Sequence, residues 1–168
     1  MKTKILFPLA GFIIMVTLFA QDIQPTKGTV IGSRVNVRGR PLATAEICCQ
    51  LEQGDPVEIL EKRLVQTVGT NTEEWLRIVL PEKAYVWLQS NLIDEKKVIT
   101  TRANGRAGPS LMWPVLCVLS KGESVSVQTN HLDWAGIKPP SHASAWISAR
   151  YATNAVTITP EIPQKTKK

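Results

Sequence analysis

The sequence predicts an all-β chain built as two tandem small β-barrels, and three observations carry that expectation. First, the chain repeats itself. Second, its apolar residues fall in short runs of β-prone residues cut by turn signals. Third, no stretch after the first twenty residues keeps a helical period.

The repeat is found by aligning Arg38-Gly-Arg-Pro41 with Arg106-Ala-Gly-Pro109, an offset of 68. Without a gap, Ile47 then meets Val115, Cys49 meets Cys117, Leu51 meets Leu119, Gly54 meets Gly122 and Val57 meets Val125. Beyond this the second copy is nine residues shorter. Glu74-Trp75 matches Asp133-Trp134, and Val86-Trp87-Leu88 matches Ala145-Trp146-Ile147, both at an offset of 59. The difference falls around Arg63 to Thr72, whose Thr, Asn and Gly read as a loop that tolerates insertion.

Each copy reads as short strands. In the first, Thr29 to Val37 mixes β-branched and polar residues, and Ile47 to Leu51 is a compact strand. Gly54-Asp55-Pro56 is a turn, with Val57 to Ile59 alternating after it. Trp75 to Leu80 is β-prone, Pro81-Glu-Lys83 is a hairpin turn, and Tyr85 to Leu88 returns. In the second, Leu116 to Leu119 precedes the turn Ser120-Lys-Gly122. Ser124 to Thr129 alternates, which puts Val125 and Val127 on one face. Trp134 to Lys138 leads through Pro139-Pro140 to the returning strand Ala145 to Ile147. Copies of about 60 residues sit near the lower limit for an independent core. Two Trp at matching positions in each copy supply buried apolar area: Trp75 and Trp87, Trp134 and Trp146.

The N-terminus has the order of a secretory signal. Met1 to Lys4 is basic, Ile5 to Phe19 is apolar, and Ala20 stands at a cleavage edge before Gln21 and Asp22. The expected signal peptide is 1–20, cut after Ala20, which places the mature chain outside the cytoplasm, secreted or periplasmic. The apolar run is shorter than the roughly 20 residues of a membrane span, and an uncleaved anchor is the alternative. The chain carries 20 basic and 14 acidic residues, a net charge of +6. Without Lys2 and Lys4 the balance is 18 to 14, or +4. That mild excess suits an anionic envelope polymer better than a nucleic acid. The tail 151–168, with two Pro and three closing Lys, is expected to be a disordered basic segment.

The chemistry-bearing residues favour binding over catalysis. Cys48, Cys49 and Cys117 are an odd set, read as small buried hydrophobes, with one bridge to Cys117 as the alternative. A Cys/His pair would need Cys117 with His131 or His142, but Cys117 lies in a strand and aligns with Cys49, whose copy has no His. Glu73, Glu74 and Asp133 neighbour the Trp strands without selecting a catalytic pair. No metal, cofactor or phosphate loop is expected. Trp113 stands in the loop from Pro109 to Pro114, where Ala45 occupies the first copy. It is the ligand-binding candidate, a flat platform for sugars or peptide groups; the alternative is a ring folded back over the barrel.

The opening Val35-Asn36-Val37-Arg38-Gly39-Arg40-Pro41, its weaker second copy Thr101 to Ser110, the stretch Pro114-Val115 to Leu119 and Gly122, the Trp strands and the closing Val86-Trp87-Leu88 and Ala145-Trp146-Ile147 together resemble bacterial SH3 (SH3b) domains. The resemblance spans 28–94 and 96–150. It implies an all-β fold of two tandem SH3-like small β-barrels, joined at Asp94 to Lys97. Arg38 and Arg106 would form structural hydrogen-bond forks, with a ligand contact as the alternative, and the Trp strands the core. It also implies a non-catalytic role in the cell envelope: binding peptidoglycan or its peptides, or acting as an adaptor. An assembly module for protein partners is one alternative, and a small cell-wall hydrolase or inhibitor another.

Overall fold

A computed structural model describes residues 25–66 and 71–154. The expected signal segment, and all of the tail beyond Asn154, lie outside the described residues. The all-β expectation agrees with the structure. Among the described residues fourteen strands are joined by turns, with single 3-10 turns at Ser90–Leu92 and Ala149–Tyr151. In chain order the first copy carries β1 (Thr26–Val30), β2 (Val35–Arg38), β3 (Ile47–Leu51), β4 (Pro56–Gln66), β5 (Thr72–Val79), β6 (Val86–Gln89) and β7 (Ile93–Asp94). The second carries β8 (Lys97–Val98), β9 (Ala103–Arg106), β10 (Val115–Leu119), β11 (Val127–His131), β12 (Trp134–Ile137), β13 (Ser144–Ser148) and β14 (Ala152–Asn154).

The hydrogen bonds do not follow the division of the sequence into copies. One sheet runs β14-β1-β4-β5-β13-β2-β3, another β10-β9-β6-β12-β11, and β7 pairs with β8. The closing strands have changed places. In the first unit β13, from the second copy, pairs with β5 as Trp146↔Arg77 and Ile147↔Leu76. In the second unit β6, from the first copy, pairs with β12 as Trp87↔Gly136 and Leu88↔Ala135. The same two offsets that align the sequence relate these pairs. They also relate Trp146↔Arg38 to Trp87↔Arg106, and Val30↔Ala152 to Val98↔Ile93. Both sheets are open in this order, with edge strands at each side.

The length of one turn explains the exchange. β7 and β8 are joined by Glu95 and Lys96 alone, at φ 44° and 62°. Two residues with positive φ form the type I′ turn that matches strand twist and holds its flanking strands side by side. The connection expected to separate two barrels is thus the tip of a hairpin. It commits the last strand of the first copy to the first strand of the second. The vacancy beside β1 is then filled by β14.

One core results. Val37, Leu76, Ile78 and Ala145 are buried in the same cluster as Val86, Leu88, Leu119 and Ile137. Gly39 and Ala107, equivalent positions, meet where the units join. A Cβ on Gly39 would lie 3.4 Å from that of Ala107 and would strike the Pro114 ring.

Four local expectations change. The segment Arg63 to Thr72 is not a loop throughout: β4 continues to Gln66 and pairs through Gln66↔Thr72, as the β-prone Leu64 and Val65 favour. Thr29 to Val37 is two strands, broken at 31–34. Pro81-Glu-Lys83 does turn, with the Ala84 amide donating to the Pro81 carbonyl, but the turn sends the chain across to the other sheet. Val125 is buried while Val127 is exposed, because the strand is interrupted between Ser124 and Val127.

Candidate functional site

Alternation along β2 sends Val35 and Val37 into the core and leaves Asn36 and Arg38 half-buried on the other face. β9 repeats this with Ala103 and Gly105 inward and Asn104 and Arg106 outward. Each outward face becomes one wall of a cleft. The first cleft, about 220 Å³, is lined by Arg34, Asn36, Arg38, Ala43 and Trp75, with Ser148 and Tyr151 from the exchanged segment. The second, about 190 Å³, is lined by Arg102, Asn104, Arg106, Leu111 and Trp134, with Gln89 and Leu92 from the segment exchanged the other way. These seven positions correspond one to one at offsets of 68 and 59. Arg, Asn, Arg and Trp are identical in both. Each cleft is completed by the other copy's chain.

Arg38 Nη1 donates to the carbonyl of Ala45. Arg106 Nη1 donates to the equivalent carbonyl, Trp113, at 2.8 Å, and to Leu111 at 3.0 Å. One corner of each guanidinium thus fastens the loop after β2 or β9. The remaining donors carry no bond among the described residues, nor do the guanidinium groups of Arg34 and Arg102. Arg34 is held at φ 52°, uncommon for a residue with a long side chain. The Glu52 carboxylate fixes that turn by accepting from the Arg34 amide at 3.2 Å and the Ser33 hydroxyl at 3.1 Å.

Besides Ala43 for Leu111, Ser148 for Gln89 and Tyr151 for Leu92, the clefts differ in charged groups. The first adds Glu73, whose Oε1 lies 3.6 Å from Arg150 Nη2. Its Oε2 is buried without a hydrogen-bond partner, and so is the indole N–H of Trp75, a residue 3% exposed. A buried polar group left unpaired costs about 1–3 kcal/mol, so each would gain from a ligand that reached it. The second cleft has no acidic residue; Leu92 and Leu111 stand on its wall instead.

The other sequence candidates lie elsewhere. The Trp113 ring is half-buried and seated on Gly108, where any Cβ would strike it, and it packs against the core. Trp87 covers Gly136, with Tyr85 edge-on at 6.1 Å. Trp146 is buried beneath Arg63, whose guanidinium carbon is 4.8 Å from the ring centre. All three cysteines are free. Burial, helped by nearby negative charge, pushes the Cys48 and Cys117 thiols up to about 12. Burial pushes Cys49 up to about 11, against the pull of Lys83. Such thiols stay protonated at neutral pH and are poor nucleophiles. His142 Nε2 is 3.2 Å from the Val118 carbonyl, and no hydrogen bond joins Cys117 to either histidine among the described residues. Glu74 is paired with Lys62 at 2.7 Å. Among the described residues no three His, Cys, Asp or Glu converge as for a metal.

Sequence reasoning missed Arg34, Arg102, Asn36 and Asn104 as site residues. Their signal was present: they recur at offset 68, Asn36 and Asn104 on the polar face of a strand and Arg34 and Arg102 just before it, where packing does not demand them. No family model matches this chain, and no curated protein or solved structure matches it.

Proposed function

We propose that this chain is an exported, non-catalytic binding protein of the cell envelope, whose two units are SH3b-like once the exchanged strands are counted in. Its ligand is peptidoglycan or the peptides of peptidoglycan. The observation that carries this reading is the pair of equivalent clefts, each presenting free guanidinium donors beside a Trp. Arginine forks suit carboxylates in two-pronged contact, and peptide carboxylates recur along a cell-wall polymer. Two sites on one rigid chain gain from effective concentration, commonly by about 10²–10⁴ in avidity, when one polymer reaches both. The raised thiols of Cys48, Cys49 and Cys117 weigh against a cysteine nucleophile. The basic start Met1 to Lys4 followed by the apolar run Ile5 to Phe19 supports export.

Sedimentation with isolated sacculi tests this. Saturable binding that persists at high salt is expected, and Arg34→Ala with Arg102→Ala should weaken it by about tenfold or more, the scale of losing a charge-assisted contact in each site. Arg63→Ala, which removes a charge away from both clefts, should leave it unchanged. Binding that disappears with salt, or that is indifferent to the paired Arg variants, would contradict the proposal. A protein-assembly role is the second reading, favoured by Leu111, Met112 and Leu132, which are 63%, 87% and 87% exposed on loops of the second copy. It predicts no sacculus binding.

A further inference from the structure

We infer that the first cleft is a recognition site for an α-amino-carboxylate, the paired ammonium and carboxylate of an amino acid, whereas the second accepts only an anion. This deepens the envelope-binding reading and rests on it. The argument starts from the groups in the first cleft that lack partners. Arg34 and Arg38 offer free guanidinium donors to a carboxylate. The Trp75 indole N–H, buried and without an acceptor, offers a third donor. These three alone would make an anion site.

Glu73 changes the specificity. Its Oε2 is buried and accepts from nothing, and Arg150 stands 3.6 Å from the other oxygen. Arg150, itself on the wall of this cleft, offsets part of that charge through the first oxygen and leaves Oε2 as an acceptor that a bare anion cannot use. A ligand carrying an ammonium next to its carboxylate places the positive group on Glu73 and the negative group on the arginines. The ring of Tyr151, a wall of the same cleft, lies under the Arg150 guanidinium at 5.5 Å. At the position of Glu73 the second copy has the exposed Leu132, and at that of Arg150 it has Asn91. That cleft keeps the two arginines and loses the acceptor, so it has no means to prefer an ammonium.

The test uses the full mature chain and three small probes: alanine, N-acetyl-alanine and alanine amide. They carry both charges, the anion alone and the cation alone. Binding is read by calorimetry and by the indole N–H resonances of Trp75 and Trp134 in a nitrogen-15 correlation spectrum, with Trp75→Phe to assign the first. Alanine is expected to shift the Trp75 resonance saturably while leaving Trp134 unmoved. Each single-charge probe should bind about tenfold more weakly or worse, the loss of one buried charged hydrogen bond. Glu73→Gln should lower alanine affinity by a similar factor and abolish its advantage over N-acetyl-alanine. Arg102→Ala should change neither. Equal response to all three probes, or an unmoved Trp75 resonance in a chain that still sediments with sacculi, overturns the inference and leaves the envelope reading standing. Alanine binding with no sacculus binding supports the inference and removes the envelope reading. Binding to neither overturns both.

Discussion

Gly105→Val is expected to destabilise the protein by about 2–3 kcal/mol, the range of overpacking in a well-filled core, and Val86→Ala added to it is expected to restore most of the loss. A Cβ at Gly105 would strike Val86 and approach Cys117 Sγ to 2.7 Å and Leu119 Cδ1 to 3.2 Å. Val86 belongs to the first copy and Gly105 to the second, so they are neighbours only through the exchanged strand. In the other unit the equivalent positions hold Val37 and Ala145, both fully buried. Each unit therefore combines one large and one small residue, in opposite order. Were the closing strands unexchanged, Val37 would face Val86 and Gly105 would face Ala145, crowding one unit and leaving a void in the other. The double variant rebuilds in the second unit the pair found in the first. Denaturant unfolding of the single and double variants measures the rescue. A double variant no more stable than Gly105→Val alone would contradict the exchange.

Cutting the chain between Glu95 and Lys96 should produce two halves that fold only together. The half ending at Glu95 contains β1 without β14 and β5 without β13. The half beginning at Lys96 contains β9 and β12 without β6. Each would expose the buried edge of a sheet and its share of a common core. Mixed in equal amounts, they should recover the β-sheet circular dichroism of the intact chain, with a melting temperature that rises with concentration, as association requires. Full native structure in either half alone would show that its closing strand folds back onto its own copy.

Much of this fold was legible in the sequence, at the level of class and repeat. The offsets of 68 and 59 that align Arg38 with Arg106 and Trp87 with Trp146 also relate the hydrogen-bond registers. The turn glycines Gly54 and Gly122 adopt φ of 92° and 85°, as their turns require. The turns even keep equivalent contacts, the Lys83–Asp55 ion pair at 2.9 Å and His142 Nδ1 3.8 Å from Glu123 Oε1. The bond from Lys83 and one from the Glu52 amide hold the Asp55 carboxyl below its ordinary range.

The exchange was not legible, for a physical reason. Val86-Trp87-Leu88 and Ala145-Trp146-Ile147 have the same alternation, so pattern alone lets each close either unit. What decides between them is the two-residue turn at Glu95 and Lys96, which lacks the Asn-Gly signal of its type, and the volume match of Val37 with Ala145. The clefts were half legible. Arg38, Arg106, Trp75 and Trp134 stood out from the repeat, but the closing of the first cleft by Ser148 and Tyr151, and of the second by Gln89 and Leu92, depends on the exchanged strands. Trp113 drew attention as a loop aromatic, while Gly108, the small residue that seats its ring, lies five positions earlier and carries no signal of that contact.

The central claim is that the closing strands are exchanged, since both the single core and the composite clefts depend on it. The most direct measurement is a carbon-13 and nitrogen-15 edited nuclear Overhauser spectrum of the chain 21–168. The exchange predicts cross-strand contacts between Arg77 and Trp146 and between Gly136 and Trp87. Contacts between Arg77 and Trp87 and between Gly136 and Trp146 in their place would contradict it.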